Sequence, residues 1–313
     1  MRSHRTTARG VLLLSLLLAL PAGRAAARPN LPPEPPPGKP PAKPIPAPKP
    51  AAAGIVFPVV GPVSYTDDFG DPRPGGPHQG IDIMAEKRQL AVAAEAGKVK
   101  FWTTSAGAGC MLYLYGRSGT TYLYIHLNND LTQKNDNRGK CVAGTAYAQG
   151  LASGDPVQAG QPVGYVGDSG DADGIHPHLH FEVHPGGKAA VDPYPYLRRA
   201  SHLLFAAAPD TLVSLSLQGS FVAAGSEKLD LKVDSLRVST GLRVVKVGRT
   251  VRLGLPPSAL IELQGGIPVA NARIYAARTG EPLTAWTQPD WVTLDAQLGK
   301  PGVLSAARVA LAP

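Results

Sequence analysis

The chain has 313 residues, a formal net charge of +8, 35 Gly, 32 Pro and only 17% charged residues; its length suggests two ordinary domains, and its composition favours short strands and turns over long helices. Residues 1–50 hold eight Lys/Arg against one acid and so carry +7 of that charge. The rest is near neutral and lacks the basic stripe that nucleic-acid binding by a folded domain requires.

At the N-terminus, Arg2, Arg5 and Arg9 precede an apolar run at 11–20. Ten residues are too few to span a bilayer comfortably. Pro21 and Gly23 break the run, and Ala25-Ala26-Ala27 offers a small-x-small cleavage site. Residues 1–27 are expected to be a cleaved export signal, leaving no membrane span and a periplasmic, wall-associated or extracellular protein. A retained membrane anchor is the competing reading. Residues 28–53 form a Pro-rich linker, with twelve prolines over 28–50 interleaved with Lys39, Lys43 and Lys49. Such a segment is an extended spacer of roughly 3 Å per residue, about 70 Å at full stretch.

Over 54–200, "GKVKFWTT", "CMLYLYGRSG", "TTYLYIHL", "QPVGYVGDSG" and "HLHFEVHPGG" each predict a short strand with a turn signal. The only helical expectation is a turn or two within 194–204. This predicts a mostly β domain built on antiparallel sheet. A second β-rich, sandwich-like domain is expected over 206–313, where "LVSLSLQGSFV", "KLDLKVDSLRV" and "LRVVKVGRTVRLGL" alternate with period two. It contains no His or Cys, and its role is left open. Export permits disulfides, and the only two cysteines, Cys110 and Cys141, suit one bridge; two buried thiols are the alternative.

Histidines carry the chemistry. In "HQGID", His78 and Asp82 stand four apart, on one side of an extended segment because strand side chains alternate. Imidazole and carboxylate are both common zinc ligands, although that pair alone is a weak signal. In "HPHLHFEV", His178 and His180 share one face of a strand that starts at Pro177. His176 and His184 read as exposed polar residues, and Glu182 as a strand residue on the side of His178 and His180. His126 ends the predicted strand "YIHL" and alone is an ordinary half-buried histidine.

Taken together and in this order, "HQGIDI", "YIHL" and "HLHFEV" resemble the lysostaphin/LytM-type zinc endopeptidases of cell-wall peptide. The flanks "FPVVGPVSYTDDFG", "GDPVQAGQPVGYVGDSG" and "VDPYPYL" agree, so the resemblance covers about 57–197. It implies that His78, Asp82 and His180 hold one Zn²⁺ per chain, that His126 and His178 are the catalytic pair, and that the substrate is peptidoglycan. A regulatory protein partner stays open. The chain departs from the pattern at Arg73, one residue late in "FGDPR", at "EKRQLAV", which lacks a Gly, and at His176, where a small residue is common. None of these positions is expected to touch a ligand. An insertion at about 129–150 is a candidate lining of the substrate groove.

Two neutral imidazoles and one carboxylate would leave Zn²⁺ an open fourth position, the layout of a catalytic site. No H-E-x-x-H motif supplies a glutamate base, so proton transfer and oxyanion support fall to His126 and His178, in an order the residues leave open. Glycan cleavage is disfavoured because two flanking carboxylates are not evident. The rival reading is a non-catalytic relative that binds peptidoglycan or regulates another hydrolase.

Overall fold

The structure is a computed structural model, and it describes residues 54–103, 105–241 and 244–312. The expected export signal and Pro-rich linker lie outside the described residues.

The first part is built from Pro72–Arg73 (β1), Gly76–Pro77 (β2), Ile81–Met84 (β3), Leu90–Val92 (β4), Gly97–Trp102 (β5), Cys110–Gly116 (β6), Thr121–Leu127 (β7), Pro156–Val157 (β8), Pro162–Tyr165 (β9) and His178–His184 (β10). Six of these make one antiparallel sheet in the order β3-β10-β7-β6-β5-β8, while β1 pairs with β2 and β4 with β9. Alternation sets its two faces. On β10, Leu179, Phe181 and Val183 enter the main apolar core with Ile81, Ile83, Leu112 and Tyr124. The intervening His178, His180, Glu182 and His184 therefore share the opposite face. Burial of each such large apolar side chain stabilises by about 1.5–3 kcal/mol. Tyr124 fits this core because its hydroxyl donates to the Val92 carbonyl at 2.9 Å and accepts from the Ala94 amide at 2.8 Å.

Cys110 and Cys141 form a disulfide across a sequence separation of 31, a loop worth roughly 3–4 kcal/mol in the chain-entropy model. It ties the first residue of β6 to the 129–150 segment.

The second part contains Leu212–Val213 (β11), Leu215–Gly225 (β12), Lys228–Val238 (β13), Val244–Gly254 (β14), Leu260–Leu263 (β15), Ile267–Pro268 (β16), Pro282–Thr287 (β17), Asp290–Trp291 (β18) and Ala306–Leu311 (β19). Seven strands form a sheet in the order β14-β13-β12-β17-β19-β15-β16, antiparallel except for the parallel pair β15–β19. The strands predicted from the alternating stretches after 212 pair in succession, β12 with β13 and β13 with β14. Helices are short: Tyr194–Leu197 (α1), Ala272–Tyr275 (α2) and Leu294–Leu298 (α3). The last two were not expected, although Thr293 caps α3 by accepting from the Ala296 amide and Gly299 ends it in the left-handed conformation, both ordinary helix boundary signals. Val56, Val60, Val92, Leu203 and Ala206 form a small apolar group that Val245 and Leu298 cover, so the two sheets share a packed seam. Among the described residues, no helix is long and apolar enough to cross a membrane.

Candidate metal centre

Asp82 lies on β3 directly opposite His180 on β10. His78 stands in the short connection between β2 and β3 and meets Asp82 from there. The connection is held by backbone bonds from the His78 amide to Asp71 O and from the Gly70 amide to His78 O, both 2.8 Å, which extend the pairing of β1 with β2. Gly80 is needed there, because a Cβ would come within 2.7 Å of His180 Nε2.

This folding brings three donor atoms together. His78 Nε2 lies 3.1 Å from Asp82 Oδ1 and 2.9 Å from His180 Nδ1, and His180 Nδ1 lies 3.0 Å from Asp82 Oδ1. The outward ring nitrogens fix the protons. His78 Nδ1 donates to the Asp68 carbonyl at 2.9 Å, and His180 Nε2 donates to Glu182 Oε1 at 3.0 Å. Because a carbonyl only accepts, the inward nitrogen of a neutral His78 is a lone pair. Two ring nitrogens and a carboxylate oxygen thus converge on one point, where they can share a proton or ligate a metal ion. Tetrahedral ligands with bonds of about 2.0–2.1 Å sit about 3.3–3.4 Å apart, close to the separations seen. His78, Asp82 and His180 can therefore hold a metal ion.

The electrostatics agree. Burial disfavours charge on Asp82, but hydrogen bonds from His180 and His78 outweigh it and hold its carboxyl well below the usual range. Burial likewise disfavours a charged His180, yet Asp82 and Glu182 on its two sides raise it to about 9. Positive charge is drawn to this point.

His178 and His126 border the same groove, which has a volume of about 580 Å³. His178 Nδ1 donates to the His176 carbonyl at 2.9 Å, leaving Nε2 3.8 Å from Asp82 Oδ1. His126 Nδ1 donates to the Ser169 carbonyl at 2.8 Å, leaving Nε2 3.6 Å from Asp171 Oδ1. The His126 and His178 ring centroids are 5.1 Å apart. Burial, reinforced by charge on His180 and His178, pushes His126 down to about 3, so its ring is neutral. His126 reaches the groove through a bulge. The register against β6 shifts between Cys110 and Leu112, and His126 takes φ 62°, which costs a non-Gly residue roughly 1–2 kcal/mol. Bulges beside active sites commonly re-aim a side chain in this way.

Several expectations need correction. His184 is buried rather than exposed, and donates from Nε2 to Glu182 Oε2 at 2.6 Å and from Nδ1 to the Lys188 carbonyl at 2.7 Å. Both partners accept, so its ring is an imidazolium, and Glu182 opposes the burial cost and raises its pKa. Glu182, held down to about 2 by His180 and His184 against burial, is an anchor between two histidines. His176 is exposed, as expected. Arg73 does reach a candidate ligand, donating to Asp82 Oδ2 at 3.0 Å and to Asp68 Oδ2 at 3.1 Å. Residues 129–150 do not line the groove; its wall is the 170–175 turn, and Asn129, Gly139, Lys140 and Cys141 border a separate cavity. Asp68 and Ser169 carry no signal of their own in the sequence, although "TDDFGDPR" places Asp68 beside the first motif.

Residues 76–193 match the model of peptidase family M23. This segment is an M23 domain. The chain is 28% identical over 146 residues to an L-Ala–D-Glu endopeptidase of Bacillus subtilis, covering 43% of this chain and 40% of that protein. Over 135 residues it is 29% identical to the DD-carboxypeptidase/endopeptidase Mpg of Neisseria meningitidis, covering 42% of this chain and 26% of the relative. The chain thus spans less than half the length of the relatives it matches. The catalytic domain of lysostaphin from Staphylococcus simulans is 27% identical, covers 44% of this chain and 92% of its own, and superposes with a TM-score of 0.34. His78, Asp82, His126, His178 and His180 all fall inside the M23 domain, and Asp68 and Arg73 just before it.

Proposed function

We propose that the M23 domain is a zinc-dependent endopeptidase that hydrolyses peptide bonds of bacterial peptidoglycan after export. The observation that carries this reading is the convergence of His78 Nε2, Asp82 Oδ1 and His180 Nδ1 beside two further imidazoles, His126 and His178, whose Nδ1 atoms are taken up by backbone carbonyls. Bound at the three-atom site, zinc supplies Lewis-acid activation of water and of the scissile carbonyl. His126 and His178 do the remaining work. As bare nitrogens, their Nε2 atoms can accept the proton of the attacking water; once protonated, the same atoms donate to the developing oxyanion or the leaving amine. The carbonyls of Ser169 and His176 keep both rings in the tautomer this needs. The wall substrate is supported by relatives whose names specify bonds to D-residues, a mark of wall peptide, and by the export signal expected at 1–27.

The test pairs metal analysis with mass spectrometry of fragments released from purified peptidoglycan. One equivalent of zinc and new peptide termini are expected. Stoichiometric zinc without release of any fragment would support the non-catalytic reading, and release of glycan fragments alone would refute peptide hydrolysis.

A further inference from the structure

Ser169 sits at a junction that the proposed chemistry does not explain by itself. It is 2% exposed. Its hydroxyl accepts from the Cys110 amide at 2.9 Å and donates to the Leu127 carbonyl at 2.5 Å. Its own carbonyl accepts from His126 Nδ1 at 2.8 Å. The surroundings leave it no freedom: a Cβ on Gly109 would lie 2.4 Å from Ser169 Oγ, and one on Gly170 would lie 2.1 Å from Gly107 O. Gly170 also has φ 79°, so the chain after Ser169 turns where only glycine fits well.

We propose that Ser169 is a positioning residue for His126: the clamped hydroxyl holds the Ser169 carbonyl in place, and that carbonyl fixes the tautomer and direction of the His126 ring. The inference rests on the role proposed above for His126, but its geometry stands apart from any metal. His126 needs such an anchor more than His178 does. His178 extends from a regular strand, whereas His126 projects from a bulge with a left-handed backbone. The hydroxyl is also bonded to the residue that begins the Cys110–Cys141 bridge. Disulfide and candidate catalytic ring therefore lean on the same side chain.

The test uses zinc-loaded full chain labelled with ¹⁵N-histidine, read by the ring nitrogen shifts. In the wild type, His126 should show the Nδ1–H tautomer with contacts from that proton to Ser169. In Ser169→Ala, which keeps the carbonyl and removes the hydroxyl, the His126 signals should become a tautomer mixture while His178 stays unchanged. Ser169→Thr should restore the single form. On wall peptide, kcat of the Ala variant should fall roughly 10–100-fold, the scale on which loss of outer-shell support in a metal site lowers activity, with KM within about a factor of two. An Nε2–H tautomer in wild-type His126 would overturn the proposal without any variant. So would equal movement of His126 and His178 in Ser169→Ala, which would show general loosening. Absence of cleavage by the wild type would count against the proposed function only, since the ring shifts are read independently of activity.

Discussion

Glu182 Oε1 accepts from His180 Nε2 at 3.0 Å, and the opposite nitrogen of the same ring lies 3.0 Å from Asp82 Oδ1. One imidazole is thus held between two carboxylates. Glu182 fixes which nitrogen carries the proton and makes the other a stronger ligand. Loss of such a partner typically lowers metal affinity about 10–100-fold. Glu182→Gln should therefore bind zinc about that much more weakly in competition with a chelator, and regain activity in excess zinc. Unchanged affinity would remove Glu182 from the design of the site.

The two β10 histidines should separate cleanly by metal content. His180→Ala, His78→Ala and Asp82→Ala are expected to lose zinc and activity together. His178→Ala and His126→Ala should keep zinc and lose rate by roughly 10²–10⁴-fold, the usual worth of general acid–base help. Metal analysis and cleavage rate on the same samples decide it. A His178→Ala protein without zinc, beside a His180→Ala protein that keeps it, would reverse the assignment.

Much of this site was legible because strand alternation is a strong rule. Leu179, Phe181 and Val183 on one face force His178, His180 and Glu182 onto the other. What alternation cannot show is where the chain returns. His184 reaches the Lys188 carbonyl only because the chain folds back after β10. Arg73 reaches Asp82 only because β1 and β2 make a hairpin of two-residue strands, too short for a periodic signal. An insertion such as 129–150 shows in the sequence only as extra chain between two motifs. Its actual position follows from the disulfide and from Asp173 accepting from Asn135 and Asn137, long-range contacts that no local pattern reports. Helix α3 differs: Thr293 and Gly299 announced it, and a five-residue span hid it among strands.

Lys87 joins Asp130 at 2.6 Å and Asp168 at 3.0 Å, with all three side chains nearly out of solvent. Asp130 in turn accepts from the amides of Asp136 and Asn137, so the lysine pins the 129–150 segment beside the turn that carries Ser169. Removing one partner of a buried ion pair leaves an uncompensated charge and costs about 3–5 kcal/mol. Lys87→Met should lower stability by that amount in denaturant melts while leaving zinc content intact in the folded protein. A change under about 1 kcal/mol would mark the triad as a solvated surface cluster.

The region from 206 onward is predicted to be dispensable for bond cleavage but not for stability. None of its described residues borders the groove. It does cover the seam, where Val245 and Leu298 pack on Val56, Val60, Val92 and Leu203, and where Arg249 donates to the Leu298 carbonyl at 3.0 Å. A chain ending near Leu204 loses that cover, at a cost on the order of 1.5–3 kcal/mol for each large apolar side chain fully re-exposed. It should bind zinc and cleave soluble wall peptides at the rate of the full chain at low temperature, yet unfold earlier on heating. Polar substitution of the newly bared Val60 and Leu203 should recover its solubility without changing the rate. If the truncated chain keeps its fold and zinc but no longer cleaves, the second sheet helps build the site, and the assignment of all chemistry to the M23 domain is wrong.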